Sequence, residues 1–175
     1  MAAMQKKKAD QHRADDKQKE TNSKKANAAT SALDLLEEDH SAAEGLFEEY
    51  EELEDASQKQ ALALKICLAL QVHTQIEEEI FYPAVREAID KTALIDEALV
   101  EHASAKQLIA EIEEMDAGDE LYDAKVKVLG EQVSHHIEEE EDELFPEVES
   151  SDLDLEALGQ KMAARKAELL KVQQG

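Results

Sequence analysis

Four stretches of the chain repeat apolar residues at intervals of three and four, and each stretch carries a histidine. This spacing puts the repeated residues on one helix face, so we expect four amphipathic helices. The stripes are Leu33, Leu36, His40, Ala43, Phe47, Tyr50; Leu62, Ile66, Ala69, His73, Ile76/Glu77, Ile80; Ile95, Leu99, His102, Ala105, Ile109, Ile112; and Tyr122, Val126, Leu129, Val133, His136, Glu140. Because such a face normally packs into an apolar core, the histidines need an explanation.

Short polar breaks near Asp55–Ser57, Asp90–Thr92 and Asp116–Asp119 separate the four helices. Connections this short make consecutive helices antiparallel neighbours. With only five Gly, two Pro and no Trp, the composition also favours an all-α fold. Pro83 and Pro146 are expected to kink or end the second and fourth helices.

The chain is predicted to have three regions. Residues 1–30 hold eight Lys or Arg and four Asp or Glu and few apolar side chains, which predicts a flexible basic tail containing an unstructured His12. Residues 31–150 form the helical bundle. Residues 151–175 form an extra C-terminal helix on the outside, with Ser151 as its N-cap.

Charge and hydropathy restrict the partners. The net charge is −24, with +4 on residues 1–30 and −28 on residues 31–175, and this acidic balance argues against binding to nucleic acid. No apolar run reaches the roughly 18 residues that span a bilayer, and the N-terminus lacks a secretory signal. A single cysteine, Cys67, excludes an internal disulfide and is expected to be a buried apolar residue. We therefore expect a cytoplasmic protein without membrane association.

An internal repeat carries the candidate chemistry. HTQIEEEIFYP at residues 73–83 matches HIEEEEDELFP at residues 136–146, with His first, two Glu at the fifth and sixth positions and Pro last. DHSAAEGLF from Asp39 likewise matches EHASAKQLI from Glu101. The second half of the bundle therefore repeats the first.

The repeated histidines and glutamates favour a metal site. One inward histidine alone is more often a hydrogen-bonded core residue. Here His40, His73, His102 and His136 share the inner faces with Glu77 and Glu140, and buried carboxylates need a counter-charge. His-x-x-x-Glu puts both side chains on one face, so four nitrogens and two bridging carboxylates can hold two metals. This ligand set favours iron or manganese over zinc.

These motifs, over roughly residues 31–149, resemble those of hemerythrin-like (HHE cation-binding) domains. The resemblance implies an up-down-up-down four-helix bundle. It also implies two iron ions (Fe²⁺/Fe³⁺) with a bridging oxo or hydroxo group, and ligands at these positions: His40, His73, Glu77, His102, His136 and Glu140. The family includes oxygen carriers, sensors of oxygen, nitric oxide or redox state, and iron-linked stress proteins.

The chain departs from oxygen-carrying hemerythrins at Lys106, where those proteins have a second histidine. The ammonium group of Lys106 is expected to extend outward or to pair with an acid such as Glu44, itself an alternative seventh ligand. In the last helix, His135 is an alternative ligand to His136, which we prefer because it aligns with His73.

Other residues near the motifs have two interpretations each. Glu78 and Glu141 either accept hydrogen bonds from ligand imidazoles or are solvated. The aromatic residues are expected to pack the core and shield the site, with Tyr82 also able to donate a hydrogen bond to a bound species. They are Tyr50, Phe81, Tyr82 and Phe145.

We therefore expect a di-iron protein that binds or senses O₂, NO or H₂O₂, or buffers iron, and that acts with a separate, unidentified protein partner if it is a sensor. A di-iron enzyme with peroxidase-like or ferroxidase-like activity is the first alternative. A bundle stapled by zinc, with no further chemistry, is the second.

Overall fold

Seven α-helices and two π-helical turns form the part of the chain that the computed structural model describes, residues 30–172, and this part contains no β-strand. The α-helices are α1 (Ala32–Glu51), α2 (Ala56–Ile76), α3 (Tyr82–Ala88), α4 (Ala93–Glu113), α5 (Tyr122–Glu139), α6 (Phe145–Glu149) and α7 (Leu155–Val172). The π turns are π1 (Glu77–Phe81) and π2 (Glu140–Leu144). The all-α prediction is confirmed, whereas the predicted basic tail and His12 lie outside the described residues, apart from Thr30.

The helices form a four-membered bundle with one addition. The first member is α1, the second is the continuous run α2–π1–α3, the third is α4 and the fourth is the run α5–π2–α6. Neighbouring members pack against each other in the order first to second, second to third, third to fourth and fourth to first. The extra helix α7 packs against α1, α2 and π1. The predicted bundle with an extra C-terminal helix is confirmed.

The helix starts follow from local side-chain caps. The Ser31 hydroxyl accepts from the Asp34 amide, and the Asp34 carboxylate accepts from the Ser31 amide, forming a capping box at the start of α1. Asp55 caps α2 with a single hydrogen bond, which its carboxylate accepts from the Gln58 amide. The N-cap prediction for Ser151 is wrong, because the Ser151 hydroxyl bonds to the Val148 carbonyl and the cap of α7 is Asp154.

The two prolines do not end their helices. Each follows a π turn that begins at a ligand candidate, Glu77 or Glu140, and the backbone then continues as α-helix to Ala88 or Glu149. Proline has no N–H to donate, and the wider turn just before it lets the helix continue past that missing donor. The expected distortion is thus present as a π turn, a feature often found at functional sites.

The core consists of two apolar clusters, one towards each end of the bundle. The first includes Leu36, Ile76 and Phe81, and the second includes Ile66 and Leu129. Between them lie the histidines and glutamates of the inward stripes.

One predicted core residue is misplaced. Leu99 is 37% exposed, because Ala98 takes the inward position between Ile95 and His102.

Among the described residues no helix combines the length and the apolar content required to cross a bilayer.

Candidate metal centre

The six predicted ligands come together in the middle of the bundle. Exposure of these residues ranges from 0% at Glu77 to 7% at His73 and His136. The other three, His40, His102 and Glu140, are each 2% exposed. Each bundle member contributes at least one of them, because the inward stripe of each helix reaches the same level.

The histidines form two pairs with a carboxylate between them. The rings of His40 and His73 lie 4.9 Å apart, and those of His102 and His136 lie 4.8 Å apart, measured between centroids. Glu77 Oε2 lies 3.1 Å from His73 Nε2 and 3.4 Å from His102 Nε2, so this carboxylate faces one histidine of each pair.

Glu140 occupies the equivalent position from the opposite helix. Its Oε2 atom lies 3.4 Å from His40 Nε2 and 3.6 Å from His136 Nε2. Two sets of atoms can therefore each surround one ion: one set comes from His40, His73, Glu77 and Glu140 and the other from Glu77, His102 and His136, so Glu77 belongs to both, and Glu140 also faces His136. This is the arrangement that two carboxylate bridges require.

Several buried atoms at this centre have no hydrogen-bond partner in the protein, whereas Nε2 of His102 and His136 lie 3.2 Å from each other. No hydrogen bond reaches Nε2 of His40 or His73, either carboxylate oxygen of Glu77, or Oε2 of Glu140. Leaving such groups unpaired in a core costs about 1–3 kcal/mol each, and more for charged groups. A pair of cations would satisfy all of them at once, so the donor set fits metal ions.

Without a metal, the buried glutamates and histidines shift one another's pKa values. Burial raises the pKa of Glu77 well above its usual range, and the facing carboxylate of Glu140 raises it further. Burial lowers the pKa of His73 to about 4, so this imidazole is neutral with a lone pair available to a metal. Burial also disfavours the His40 imidazolium, but Glu140 and Glu77 outweigh it and raise the pKa of His40 to about 9.

A second layer of carboxylates lies behind the histidines. His40 Nδ1 donates to Glu141 at 2.8 Å and His102 Nδ1 donates to Glu78 at 3.0 Å. Because a carboxylate can only accept here, Nδ1 of each ring carries a proton, and Nε2 is the nitrogen that faces the centre. Of the two interpretations of Glu78 and Glu141, the structure selects the one with imidazole contacts.

Sequence reasoning missed the other two members of this layer. Glu101 accepts from His136 Nδ1 at 2.8 Å, and Asp39 approaches His73 Nδ1 at 3.5 Å, beyond good hydrogen-bond distance. Both acids directly precede a ligand histidine in the repeated Asp-His and Glu-His dipeptides. The repeated dipeptides could have indicated that the acids belong to the site. Each acid, however, lies next to a histidine of the next bundle member and not next to the histidine that follows it in the sequence.

The four contacts link the bundle members in a closed ring, which we call the carboxylate ring. Asp39 joins the first member to the second, Glu78 the second to the third, Glu101 the third to the fourth, and Glu141 the fourth to the first. Three of the four imidazoles are therefore oriented by a hydrogen bond to an acid from an adjacent member, and Asp39 lies close to the fourth, His73, without a hydrogen bond. Such outer contacts fix the ring orientation of a ligand histidine and raise the basicity of the nitrogen that binds the metal.

The alternatives around Lys106 and His135 are also decided. Lys106 Nζ lies 2.6 Å from both oxygens of Glu78, so the lysine pairs with an acid as one of the two alternatives had it, but that acid is Glu78 and not Glu44. Glu44 is exposed and lines an outer groove, away from the six ligand candidates. The side chain of His135 is 62% exposed and contacts Glu139, whereas His136 faces the centre.

The equivalent aromatic residues of the repeat cover opposite sides of the centre. Phe145 stacks on His40, with ring centroids 5.9 Å apart. Tyr82 packs on His102, and its hydroxyl donates to Glu140 Oε1 at 2.8 Å and lies 3.3 Å from His102 Nε2. The packing role expected for Tyr82 therefore comes with a hydrogen bond to a ligand candidate, which the sequence did not indicate.

An apolar cavity of about 150 Å³ adjoins all four histidines. One turn from each histidine, the inward stripe carries a small residue, and the missing side-chain volume forms the cavity. These residues are Ala43, Ala69, Ala105 and Val133. Because its walls are mostly apolar, the cavity suits small apolar molecules better than ions.

Comparison with known proteins agrees with this geometry. The hemerythrin HHE cation binding domain matches residues 31–148. A crystal structure of a hemerythrin HHE cation binding domain-containing protein from Mycobacterium kansasii is similar, with 28% sequence identity and a TM-score of 0.68. The match covers 79% of this chain and 86% of the other. No curated protein sequence matches. The chain belongs to the hemerythrin HHE cation-binding family.

Proposed function

We propose that this chain holds two iron ions with an oxo or hydroxo bridge and uses them to bind or sense a small oxidant or gas, or to buffer iron. The observation that carries the proposal is the convergence of four buried imidazoles and two buried carboxylates, in which Nε2 of His40 and His73 and three of the carboxylate oxygens have no hydrogen-bond partner. His40 and His73 would hold one ion, and His102 and His136 the other. Glu77 and Glu140 would bridge them.

Iron is favoured over zinc by the type and number of donors. Structural zinc usually has four ligands of its own in a closed tetrahedron. Here each half of the centre has only two imidazoles of its own, and the carboxylates are shared between the two halves. Two irons in such a site supply redox chemistry and open coordination positions for a small ligand. The protein residues neutralise the charge of the ions, orient the imidazoles through the carboxylate ring and line the space beside them.

The apolar cavity supports a small gaseous or oxidant ligand. It borders His40, His73, His102 and His136, and its volume of about 150 Å³ exceeds that of a diatomic molecule. Dioxygen and nitric oxide partition readily into apolar space, so the cavity would concentrate them next to the metals. We further propose a cytoplasmic location, where a buried free thiol such as Cys67 stays reduced.

Metal analysis is the first test. Protein purified without added metal should contain two irons per chain and, when oxidised, should show a near-ultraviolet band from a bridged ferric pair. One metal per chain, or zinc alone after growth with abundant iron, would contradict the di-iron proposal and favour a zinc-stapled bundle.

Ligand binding is the second test, and a cavity variant sharpens it. The reduced protein should bind nitric oxide stoichiometrically, and Ala105→Leu should slow that binding without changing the iron content, because the added side chain fills the cavity. Ala103→Leu, on the exposed face of the same helix, is the matched control. Rapid catalytic loss of hydrogen peroxide or ferrous iron, over many equivalents, would instead indicate an enzyme.

A further inference from the structure

A second group of metal-binding side chains lies on the surface next to the centre. Its members are Glu101, His135 and Glu139, and ligand atoms of all three lie within 4.8 Å of one another. His135 Nε2 lies 3.2 Å from a Glu139 oxygen and 3.9 Å from a Glu101 oxygen. We call these three residues the surface cluster.

Glu101 connects the surface cluster to the buried centre. One of its oxygens faces His135 on the surface, and the other accepts the hydrogen bond from His136 Nδ1. The same carboxylate therefore belongs both to the surface cluster and to the carboxylate ring behind the ligands.

A narrow crevice joins the same two regions. It has a volume of about 10 Å³, roughly enough for one water-sized species. Glu101 and Glu139 line it on the outer side, and His136 and Glu140 line it on the inner side. Glu140, one of the inner residues, is 2% exposed, and its Oε2 makes no hydrogen bond.

Within the part of the chain that the structure describes, the first half of the repeat has no equivalent group of donors. The positions equivalent to His135 and Glu139 in the first half are Val72 and Ile76, which are 3% and 0% exposed. The residue equivalent to Glu101 is Asp39, which pairs with Lys166 of α7. The first half is thus closed by apolar packing and a lysine, whereas the second half presents an imidazole and two carboxylates to solvent.

We propose that the surface cluster is a cation-entry site that captures a divalent metal ion and passes it through the crevice to the buried centre. An imidazole and two carboxylates provide the mixed nitrogen and oxygen donors that ferrous iron accepts. The negative charge concentrates cations at the surface, and Glu101 and Glu139 can transfer the ion towards His136 and Glu140. The inference rests on the proposed function, because the centre is the destination.

The test compares metal uptake by full-length apo-protein variants under anaerobic conditions. His135→Ala combined with Glu139→Gln should slow the incorporation of Fe²⁺ on the order of ten-fold, while the final content stays at two irons. Glu138→Gln is the control, because Glu138 is an exposed acid on the same helix outside the surface cluster. It removes one negative charge and should take up iron at the unmodified rate.

A second measurement detects the surface ion itself. Iron-loaded unmodified protein should bind one additional Mn²⁺ per chain, measured by electron paramagnetic resonance, and the double variant should not. Unchanged uptake in the double variant, equal slowing by Glu138→Gln, or the absence of the additional Mn²⁺ would each overturn the entry site. Failure of the di-iron proposal would appear separately, as an unmodified protein that never reaches two irons.

Discussion

Lys106 Nζ lies 2.6 Å from both carboxylate oxygens of Glu78, and Glu78 in turn accepts the hydrogen bond of His102 Nδ1. Burial opposes ionisation of Glu78, but Lys106 and His102 together hold its pKa below the usual range. The lysine therefore shares the carboxylate with an imidazole that faces the centre. In this way Lys106, the residue that departs from the oxygen carriers, acts on a ligand candidate through its outer partner.

Lys106→Gln is expected to lower the reduction potential of the iron-loaded centre by roughly 20–60 mV. Removing a positive charge favours the ferric state. A Glu78 carboxylate freed from the lysine also attracts the His102 Nδ1 proton more strongly, which lowers the reduction potential further. Spectroelectrochemical titration measures the shift. Lys125→Gln breaks a similar surface pair with Glu111. An equal shift in that control, or an upward shift in Lys106→Gln, would refute the action of Lys106 on His102 through Glu78.

The candidate ligand glutamates and the glutamates of the carboxylate ring should differ in their effect on metal retention. Glu77→Ala and Glu140→Ala should each remove most of the bound iron, because each loses a shared ligand and a charge that offsets both cations. Glu78→Ala and Glu141→Ala should retain near-normal content under excess iron, with affinity weakened about ten-fold. Metal analysis at limiting and saturating iron distinguishes the two groups, and identical behaviour would mean that our ligand assignment is wrong.

Tyr82→Phe removes the hydrogen bond to Glu140 without altering the packing on His102. Phenylalanine already occupies the equivalent position of the repeat, Phe145, so the variant is expected to fold normally. We expect two irons to bind but a chelator to extract them several-fold faster, because Glu140 loses a buried donor. An unchanged extraction rate would show that the hydroxyl contributes only packing.

Removing the metal should weaken the fold without dissolving it. The candidate ligands come from all four bundle members, so bound metal stabilises the folded state by about 3–4 kcal/mol at ligand concentrations far above Kd. For a domain of this size the melting temperature should fall by roughly 10 °C. Helical circular dichroism should persist, since both apolar clusters remain. Identical melting of the loaded and the fully chelated protein would contradict a centre shared by the four members.

Cys67 should resist alkylation in the native protein. It is 1% exposed, and burial raises its pKa to about 12, so the unreactive thiol form persists well above neutral pH. Iodoacetamide at pH 8 should label it only after unfolding, as read by mass spectrometry. Rapid labelling of the folded protein would place Cys67 on a surface, contrary to its position in the core.

The sequence alone determined which residues face inward, and the reason is local. An α-helix repeats every 3.6 residues, so the positions of His40 and His73 relative to the apolar residues of their own helices fix the face they occupy. The repeat added that Glu77 and Glu140 are equivalent. Leu99 was misplaced because Ala98, one position away, also fits a helical spacing.

The partners of these residues were decided by the tertiary structure. Glu141 contacts His40 and Asp39 approaches His73 because packing sets how far each helix is shifted and rotated relative to its neighbour, and no spacing within one helix encodes that shift. The pairing of Lys106 with Glu78 depends on the same shift. The added helix α7 brings Lys166 to Asp39 and covers the first half of the repeat there. No helix covers the equivalent residues of the second half, among them His135, in the described part of the chain.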